Sequence, residues 1–143
     1  MGRLLETSVL IHVERGRAEL AEISTRFADE SFAISAITAA EMLEGVHGAA
    51  TDEQRIKREA FVEGILARIP IVPFDIRVAR VYARLKRGLD RKGSPVGAHD
   101  LMIAATALAI GYGVITTDKR SFPRVPGIEV TLVAVSPTKA KGR

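Results

Sequence analysis

The sequence lacks cysteine and tryptophan entirely and contains only three histidines among its 143 residues. Without cysteine the protein cannot form a disulfide scaffold, a thiolate metal site or a cysteine nucleophile, and this composition suits a reducing cytosol. The histidines, at positions 12, 47 and 99, form no H-x-x-x-H pair, so a zinc site is not expected. No apolar run reaches the roughly 18 residues that a membrane span needs, and no secretory signal opens the chain. We therefore expect a soluble, cytoplasmic protein.

The charge balance is mildly basic, with 21 Lys and Arg residues against 17 Asp and Glu residues and a net charge of +4. An excess of positive charge favours a polyanionic partner such as nucleic acid, although many proteins without such a partner are as basic. The length suits one compact core. We expect a single domain over residues 1–135, followed by a basic, disordered tail over residues 136–143.

Short apolar runs alternate with longer segments of helical period along the chain. The runs predict strands over residues 3–6, 32–35, 69–73, 114–117 and 129–133. The segments between them predict a first helix capped by Thr7 or Ser8, and further helices over residues 17–28, 36–48, 53–67, 76–89 and 97–113. This alternation is typical of an α/β fold in which a mainly parallel sheet is covered by helices on both faces.

Four acids follow the predicted strands or begin the helices next to them. Glu6 ends the first strand within "LLETSVLI", and Glu41 lies about one turn into the helix after the second strand. Asp100 opens the last long helix, and Asp118 closes the strand after it. A helix of ~18 Å and a returning strand of ~17 Å bring these two acids back to one edge. Because ligands gather at the carboxyl ends of parallel strands, the sequence predicts four carboxylates in one cleft.

Such a cluster has a specific chemical use. Like charges in a partly dry cleft repel, and the usual relief is protonation or a bound cation. Oxygen ligands with few histidines favour Mg²⁺ or Mn²⁺, and a water on such an ion is a nucleophile for phosphodiesters. Taken singly, Asp100 could be a helix-terminal acid and Asp118 a turn residue. Taken together, the acids indicate metal-dependent phosphodiester hydrolysis.

Three blocks of the sequence also carry a family pattern: "LLETSVLI", "ISAITAAEMLEGV" and "HDLMIAATALAIGYGVITTDKRSF" with the "VPGIEV" that follows. They resemble the PIN-domain ribonucleases, specifically the VapC-type toxins of bacterial toxin–antitoxin pairs. The last block is the most specific, because it combines an acid, an Ala-rich helix, a strand, a Thr-x-Asp and a trailing Phe. The resemblance implies a three-layer α/β/α sandwich, Mg²⁺ or Mn²⁺ as cofactor, and RNA of the transfer or ribosomal class as substrate. It also implies a homodimer inhibited by a small VapB-like antitoxin.

The resemblance assigns roles to individual residues. It implies that Glu41, Asp100 and Asp118 are catalytic, metal-binding acids, and that Ser8 and Thr116 support them by hydrogen bonds.

The sequence departs from the family pattern at two positions. Glu6 stands where the family normally has Asp, and Ser121 stands where it often has Asp or Asn. We still expect Glu6 to be a catalytic metal ligand. With an unchanged backbone its oxygens would advance by ~1 to 1.5 Å, whereas catalytic groups tolerate displacements of ~0.5 Å. We therefore expect Glu6 to weaken the ribonuclease activity.

The predicted helix over residues 76–89 has one strongly basic side. Arginines recur at spacings of three and four, at Arg77, Arg80, Arg84, Arg87 and Arg91. A solvated helix usually mixes charges, because like charges four residues apart destabilise it slightly. We interpret this side, and Arg80, Arg84 and Arg87 in particular, as a surface that contacts RNA phosphates.

Two alternatives of other classes remain open. A catalytically impaired PIN-like module would bind antitoxin or RNA without cutting it, and metal-dependent cleavage of RNA separates this alternative from the nuclease. A phosphoacceptor signalling domain would also be parallel α/β with clustered acids. That alternative needs a lysine near the cluster, and Lys119 is poorly placed for this role.

Overall fold

The computed structural model describes residues 2–137. The strands are β1 (Gly2–Leu5), β2 (Ser31–Ser35), β3 (Ile71–Val72), β4 (Gly113–Thr116) and β5 (Val130–Leu132). The helices are α1 (Thr7–Glu14), α2 (Leu20–Arg26), α3 (Ala36–His47), α4 (Asp52–Arg68), α5 (Ile76–Arg91) and α6 (Ala98–Ile110), and a short 3₁₀ helix covers Phe122–Arg124. No helix of this described part is long and apolar enough to cross a membrane. From residue 138 onward, the predicted tail lies outside the described residues.

All five strands are parallel and lie in the order β3-β2-β1-β4-β5. The central strand β1 pairs with β2 on one side and with β4 on the other, so that Leu4 lies between Ala33 and Val114. The carboxyl ends of β2, β1 and β4 are therefore neighbours at one edge of the sheet. The predicted parallel α/β fold is confirmed.

The sheet separates two apolar cores. Successive residues of a strand point to opposite faces, so Leu4 packs in one core, with side chains of α5 and α6. Leu5 packs in the other core, with side chains of α1, α3 and α4. A strand buried on both faces favours consecutive apolar residues, which explains why Leu4 and Leu5 both precede Glu6 with no polar residue between them. The resulting three layers match the expected sandwich.

Several element boundaries differ from the prediction by a few residues, and two of these differences have a clear cause in backbone chemistry. Strand β3 has only two residues, whereas the sequence predicted 69–73. Pro70 and Pro73 flank it, and proline has no N–H to donate to a neighbouring strand. Helix α6 ends at Ile110 and not at residue 113, because Gly111 adopts a left-handed conformation with φ of 71° that terminates the helix.

Candidate active site

The four predicted acids lie around the neighbouring ends of three strands. Glu6 directly follows β1, and Asp118 comes two residues after the end of β4. Glu41 lies in the second turn of α3, the helix that begins immediately after β2. Asp100 is the third residue of α6, in its first turn, and not the residue that opens the helix. The topology thus brings all four to the same edge of the sheet.

Glu6 is buried, with 5% of its surface exposed, and both of its carboxylate oxygens accept hydrogen bonds. Oε2 accepts from the backbone N–H of Ser8 at 3.1 Å, and Oε1 accepts from the Ser8 hydroxyl at 2.5 Å and from the Thr116 hydroxyl at 2.6 Å. Glu6 is therefore the N-cap of α1. The predicted cap at Thr7 or Ser8 is wrong, because the chain turns into the helix directly after Glu6 and those hydroxyls contact the acids instead.

Ser8 and Thr116, the predicted supporting residues, join the two strand ends that carry Glu6 and Asp118. Their hydroxyl oxygens lie 3.4 Å apart. The Ser8 hydroxyl accepts from the backbone N–H of Thr117 at 3.1 Å, and the Thr116 hydroxyl accepts from the backbone N–H of Asp118 at 3.0 Å. The backbone leading to Asp118 is thereby held against the start of α1.

A second hydroxyl network, which the sequence did not predict, holds Glu41. The Thr7 hydroxyl donates to Glu41 Oε1 at 2.6 Å and lies 3.0 Å from the hydroxyl of Thr38, which is fully buried. Thr38 is held in turn by Ser35, whose hydroxyl accepts the Thr38 backbone N–H as the N-cap of α3. The exposed His99 places Nδ1 3.3 Å from Glu41 Oε2, at the rim of the site.

Ser121 joins the two aspartates. Its side chain lies beside both Asp100 and Asp118 and acts to lower the pKa of each carboxylate. The backbone N–H groups of Arg120 and Ser121 also donate to Asp118 Oδ1, at 2.7 Å and 3.1 Å. The sequence identified this position only as a departure from the family pattern, yet here a hydroxyl with one proton to donate lies beside two acids.

The acids influence one another electrostatically. Burial raises the pKa of Asp100 above its ordinary value, and the charges of Asp118 and Glu41 raise it further. Burial also raises the pKa of Glu6, with a smaller contribution from Asp100, against the opposing hydrogen bonds from Ser8 and Thr116. Burial acts to raise the pKa of Asp118, but the backbone N–H groups of Arg120 and Ser121 hold it below its ordinary value. The four carboxylates thus form one interacting group.

Known proteins resemble this chain over most of its length. The pattern of the PIN-domain family matches residues 3–128. Ribonuclease VapC1 of Rickettsia felis is 35% identical over 94% of this chain and 98% of its own length. This chain belongs to the VapC-type PIN domains.

Further PIN-domain relatives extend the likeness to solved structures. The tRNA(fMet)-specific endonuclease VapC of Salmonella typhimurium is 31% identical over 89% of this chain and 94% of its own length. The structure of this chain also resembles a crystal structure of DNA-bound VapBC from Salmonella typhimurium, with a TM-score of 0.82 at 30% identity. That match covers 92% of this chain and 97% of the other.

The donor set of this PIN domain suits a hard divalent cation. Across residues 2–137, no three His, Asp or Glu side chains are arranged to hold one metal ion together. Mg²⁺ needs only one or two protein carboxylates, because it retains several waters and takes substrate oxygens. The raised pKa of Asp100 results partly from neighbouring acids, and a cation among them would relieve that repulsion. The residues therefore fit such an ion.

The hydrogen bonds of the site involve neither Glu44 nor the arginines that the sequence predicted to contact RNA. Arg80, Arg84 and Arg87 are exposed on α5. Glu44 is exposed on α3 and does not join the cluster.

We predict that Asp100→Asn stabilises the metal-free protein at neutral pH. Because the folded-state pKa of Asp100 is raised above 3.8, this group favours folding while it is protonated. That contribution is lost as the pH rises from about 4 through the folded-state pKa. Asparagine does not ionise, so the variant does not lose this contribution to stability as the pH rises. Its melting temperature should therefore exceed that of the parent by a few degrees at pH 7. Thermal melts in EDTA between pH 3.5 and pH 7 measure the difference, which should shrink toward the acid end; a constant difference would contradict the prediction.

Proposed function

We propose that this PIN domain is an endoribonuclease that uses Mg²⁺ or Mn²⁺ to hydrolyse RNA phosphodiester bonds. The observation that carries the proposal is the interacting group of acids at the sheet edge, in which Asp100 is influenced by both Asp118 and Glu41. Relatives named ribonuclease VapC1 and tRNA(fMet)-specific endonuclease VapC support RNA as the substrate. We expect the RNA to be of the transfer or ribosomal class.

Each residue of the site has a defined task in this proposal. Glu6, Glu41, Asp100 and Asp118 would hold one or two ions, and each ion would be bound directly by only one or two of these carboxylates. A divalent ion held there would supply a more acidic water as the nucleophile and would neutralise charge on the phosphate. The hydroxyls of Ser8, Thr116, Thr7 and Ser121 fix the carboxylate orientations, which limits the rearrangement needed when substrate arrives.

The proposal includes a protein partner. Solved neighbours such as VapBC from Salmonella typhimurium and VapBC-5 from Mycobacterium tuberculosis are toxin–antitoxin complexes. We propose a small VapB-like antitoxin that inhibits this chain, and a homodimer as the toxin assembly.

One observation favours a second candidate function. Both Glu6 oxygens are already engaged by Ser8 and Thr116, and little of the residue is exposed. A site whose first acid is occupied in this way suits a module that binds antitoxin or RNA without cutting it.

Incubation of the purified protein with a pool of transfer and ribosomal RNA tests the nuclease proposal. We expect discrete fragments with Mg²⁺ or Mn²⁺, none in EDTA, and a loss of cleavage on the order of a hundredfold in Asp118→Asn. Because the amide oxygen introduced by this substitution can still accept from the backbone N–H groups of Arg120 and Ser121, the variant tests the charge of the side chain. Cleavage that persists in EDTA, or that Asp118→Asn leaves unchanged, would contradict the proposal. RNA binding without cleavage under any metal condition would favour the binding module.

A further inference from the structure

The strongest basic surface of the described chain is the outer side of α5. It consists of five exposed arginines, here called the α5 arginine face: Arg77, Arg80, Arg84, Arg87 and Arg91. At 100° per residue these arginines fall within a sector of about 80°. The buried residues Val78, Leu85 and Leu89 point in the opposite direction, into the core shared with α6.

Acids do not neutralise most of this face. Arg77 pairs with Asp75 at the start of α5. The other ion pair on the helix joins Lys86 and Asp90, which lie to one side of the face. Within residues 2–137, no carboxylate pairs with Arg80, Arg84 or Arg87. Three neighbouring guanidinium groups therefore remain available to an anionic partner, despite the cost of like charges at this spacing.

The loop that follows the face is linked to the segment that follows Asp118. Arg91 lies four residues before Pro95, so their Cα atoms are at most about 14 Å apart. The Pro95 carbonyl accepts from Arg124 Nη1 at 3.0 Å, which ties the loop after α5 to the segment that follows Asp118. In that segment, Arg120 donates its backbone N–H to Asp118. Arg91, Arg124 and Arg120 thus lie at successive points of the link between α5 and the segment of Asp118.

We propose that the α5 arginine face binds the phosphate backbone of the RNA substrate and leads the strand toward the acid cluster. This inference rests on the proposed ribonuclease function. Successive arginines along the helix rise by about 4.5 to 6 Å, and each can neutralise a phosphate without reading a base. The face therefore contributes affinity and salt dependence, and it contributes little to the choice of sequence.

The structure favours RNA over other anionic partners. A helix that binds a membrane surface presents a row of apolar residues beside its basic ones. On α5, Val78, Leu85 and Leu89 are buried in the core, and Ile76 is the single large apolar residue that is exposed. An acidic protein segment remains a competitor for the same charges. The link between the loop after α5 and the segment that follows Asp118 favours RNA, because that segment belongs to the proposed site of phosphodiester hydrolysis.

The test measures RNA affinity against salt concentration for the triple variant Arg80→Gln, Arg84→Gln, Arg87→Gln. The probe is a labelled single-stranded RNA of about 20 nucleotides, in EDTA to prevent cleavage. Losing three phosphate contacts should reduce the slope of log affinity against log salt by about 2. Between 50 and 200 mM salt, the parent should then lose about 20-fold more affinity than the variant.

A matched control removes the same charge elsewhere. The variant Arg55→Gln, Lys57→Gln, Lys86→Gln also loses three positive charges, but each of these side chains pairs with an acid of its own helix. We expect this control to keep the parental slope. A slope that falls equally in both variants would mean that only net charge matters and would overturn the proposal, as would an unchanged slope in the first variant.

Two further outcomes separate this inference from the function on which it rests. If the parent binds RNA with a salt slope that depends on the α5 arginine face, yet never cuts RNA with Mg²⁺ or Mn²⁺, the face is supported and the nuclease proposal fails. If the first variant loses binding to poly-glutamate while its RNA slope stays parental, the face serves an acidic protein and the RNA inference is wrong.

Discussion

Replacing Glu6 by Asp is expected to raise metal-dependent RNA cleavage by about one to two orders of magnitude. In the parent, the carboxylate oxygens of Glu6 accept hydrogen bonds from Ser8 and Thr116. Aspartate is a preferred N-cap residue, so Glu6→Asp should keep the bond from the Ser8 backbone N–H and preserve α1. Its carboxylate would sit ~1 to 1.5 Å nearer the backbone, and displacements of this size have large effects on rates.

Glu6→Gln is the matched control for this substitution. It keeps the length of the side chain and an oxygen that can accept from Thr116, but it removes the negative charge. We expect weaker metal binding and slower cleavage than in the parent. The measurement is the initial cleavage rate of the parent and both variants on one RNA at saturating Mn²⁺.

Two other results of these rate measurements would contradict the expectation for Glu6 or favour the non-cleaving module. If Glu6→Asp is no faster than the parent while Asp118→Asn is inactive, the backbone has adapted to glutamate and the expectation for Glu6 is wrong. If the parent and both variants are inert but still bind RNA, the non-cleaving module becomes the better description.

The acid cluster could be predicted from the sequence because it depends on the lengths of α6 and β4. The paths of α6 and β4 nearly cancel, so Asp100 and Asp118 return to one edge even though the predicted boundaries were off by several residues. Such an argument tolerates small errors, because one residue of helix moves the chain by only about 1.5 Å. The parallel sheet was equally predictable, since its strands are short apolar runs separated by helices.

The hydroxyl networks could not be anticipated in the same way. Thr7 and Glu41 are 34 residues apart in the sequence, and their contact depends on how α1 and α3 cross above the sheet. Hydroxyl-bearing residues next to strand ends also serve as helix caps, and this more common role predicted Thr7 or Ser8 as the cap. A general signal did exist, because "ETS" follows β1 and "TTD" ends β4 at adjacent strand ends.

Adding Mg²⁺ or Mn²⁺ is expected to raise the melting temperature of the parent. A ligand that binds only the folded state, at about 100 times its Kd, stabilises that state by about 2.7 kcal/mol. For a chain of this length, that corresponds to a shift of roughly 8 °C. The double variant Asp100→Asn, Asp118→Asn should lose most of the shift, because both aspartates belong to the proposed ion site.

The structure distinguishes the two aspartates in the absence of metal. Asp100→Asn removes a charge that burial and its acidic neighbours disfavour, whereas Asp118→Asn weakens an acceptor that holds the backbone of Arg120 and Ser121. In EDTA, the double variant should therefore melt below Asp100→Asn alone. Melting scans with and without metal measure both effects, and Glu44→Gln is the control, because this exposed acid lies outside the cluster. A metal-induced rise in melting temperature that survives in the double variant would place the ion elsewhere. If Glu44→Gln also loses this rise, the overall negative charge of the protein, and not the acid cluster, attracts the cation.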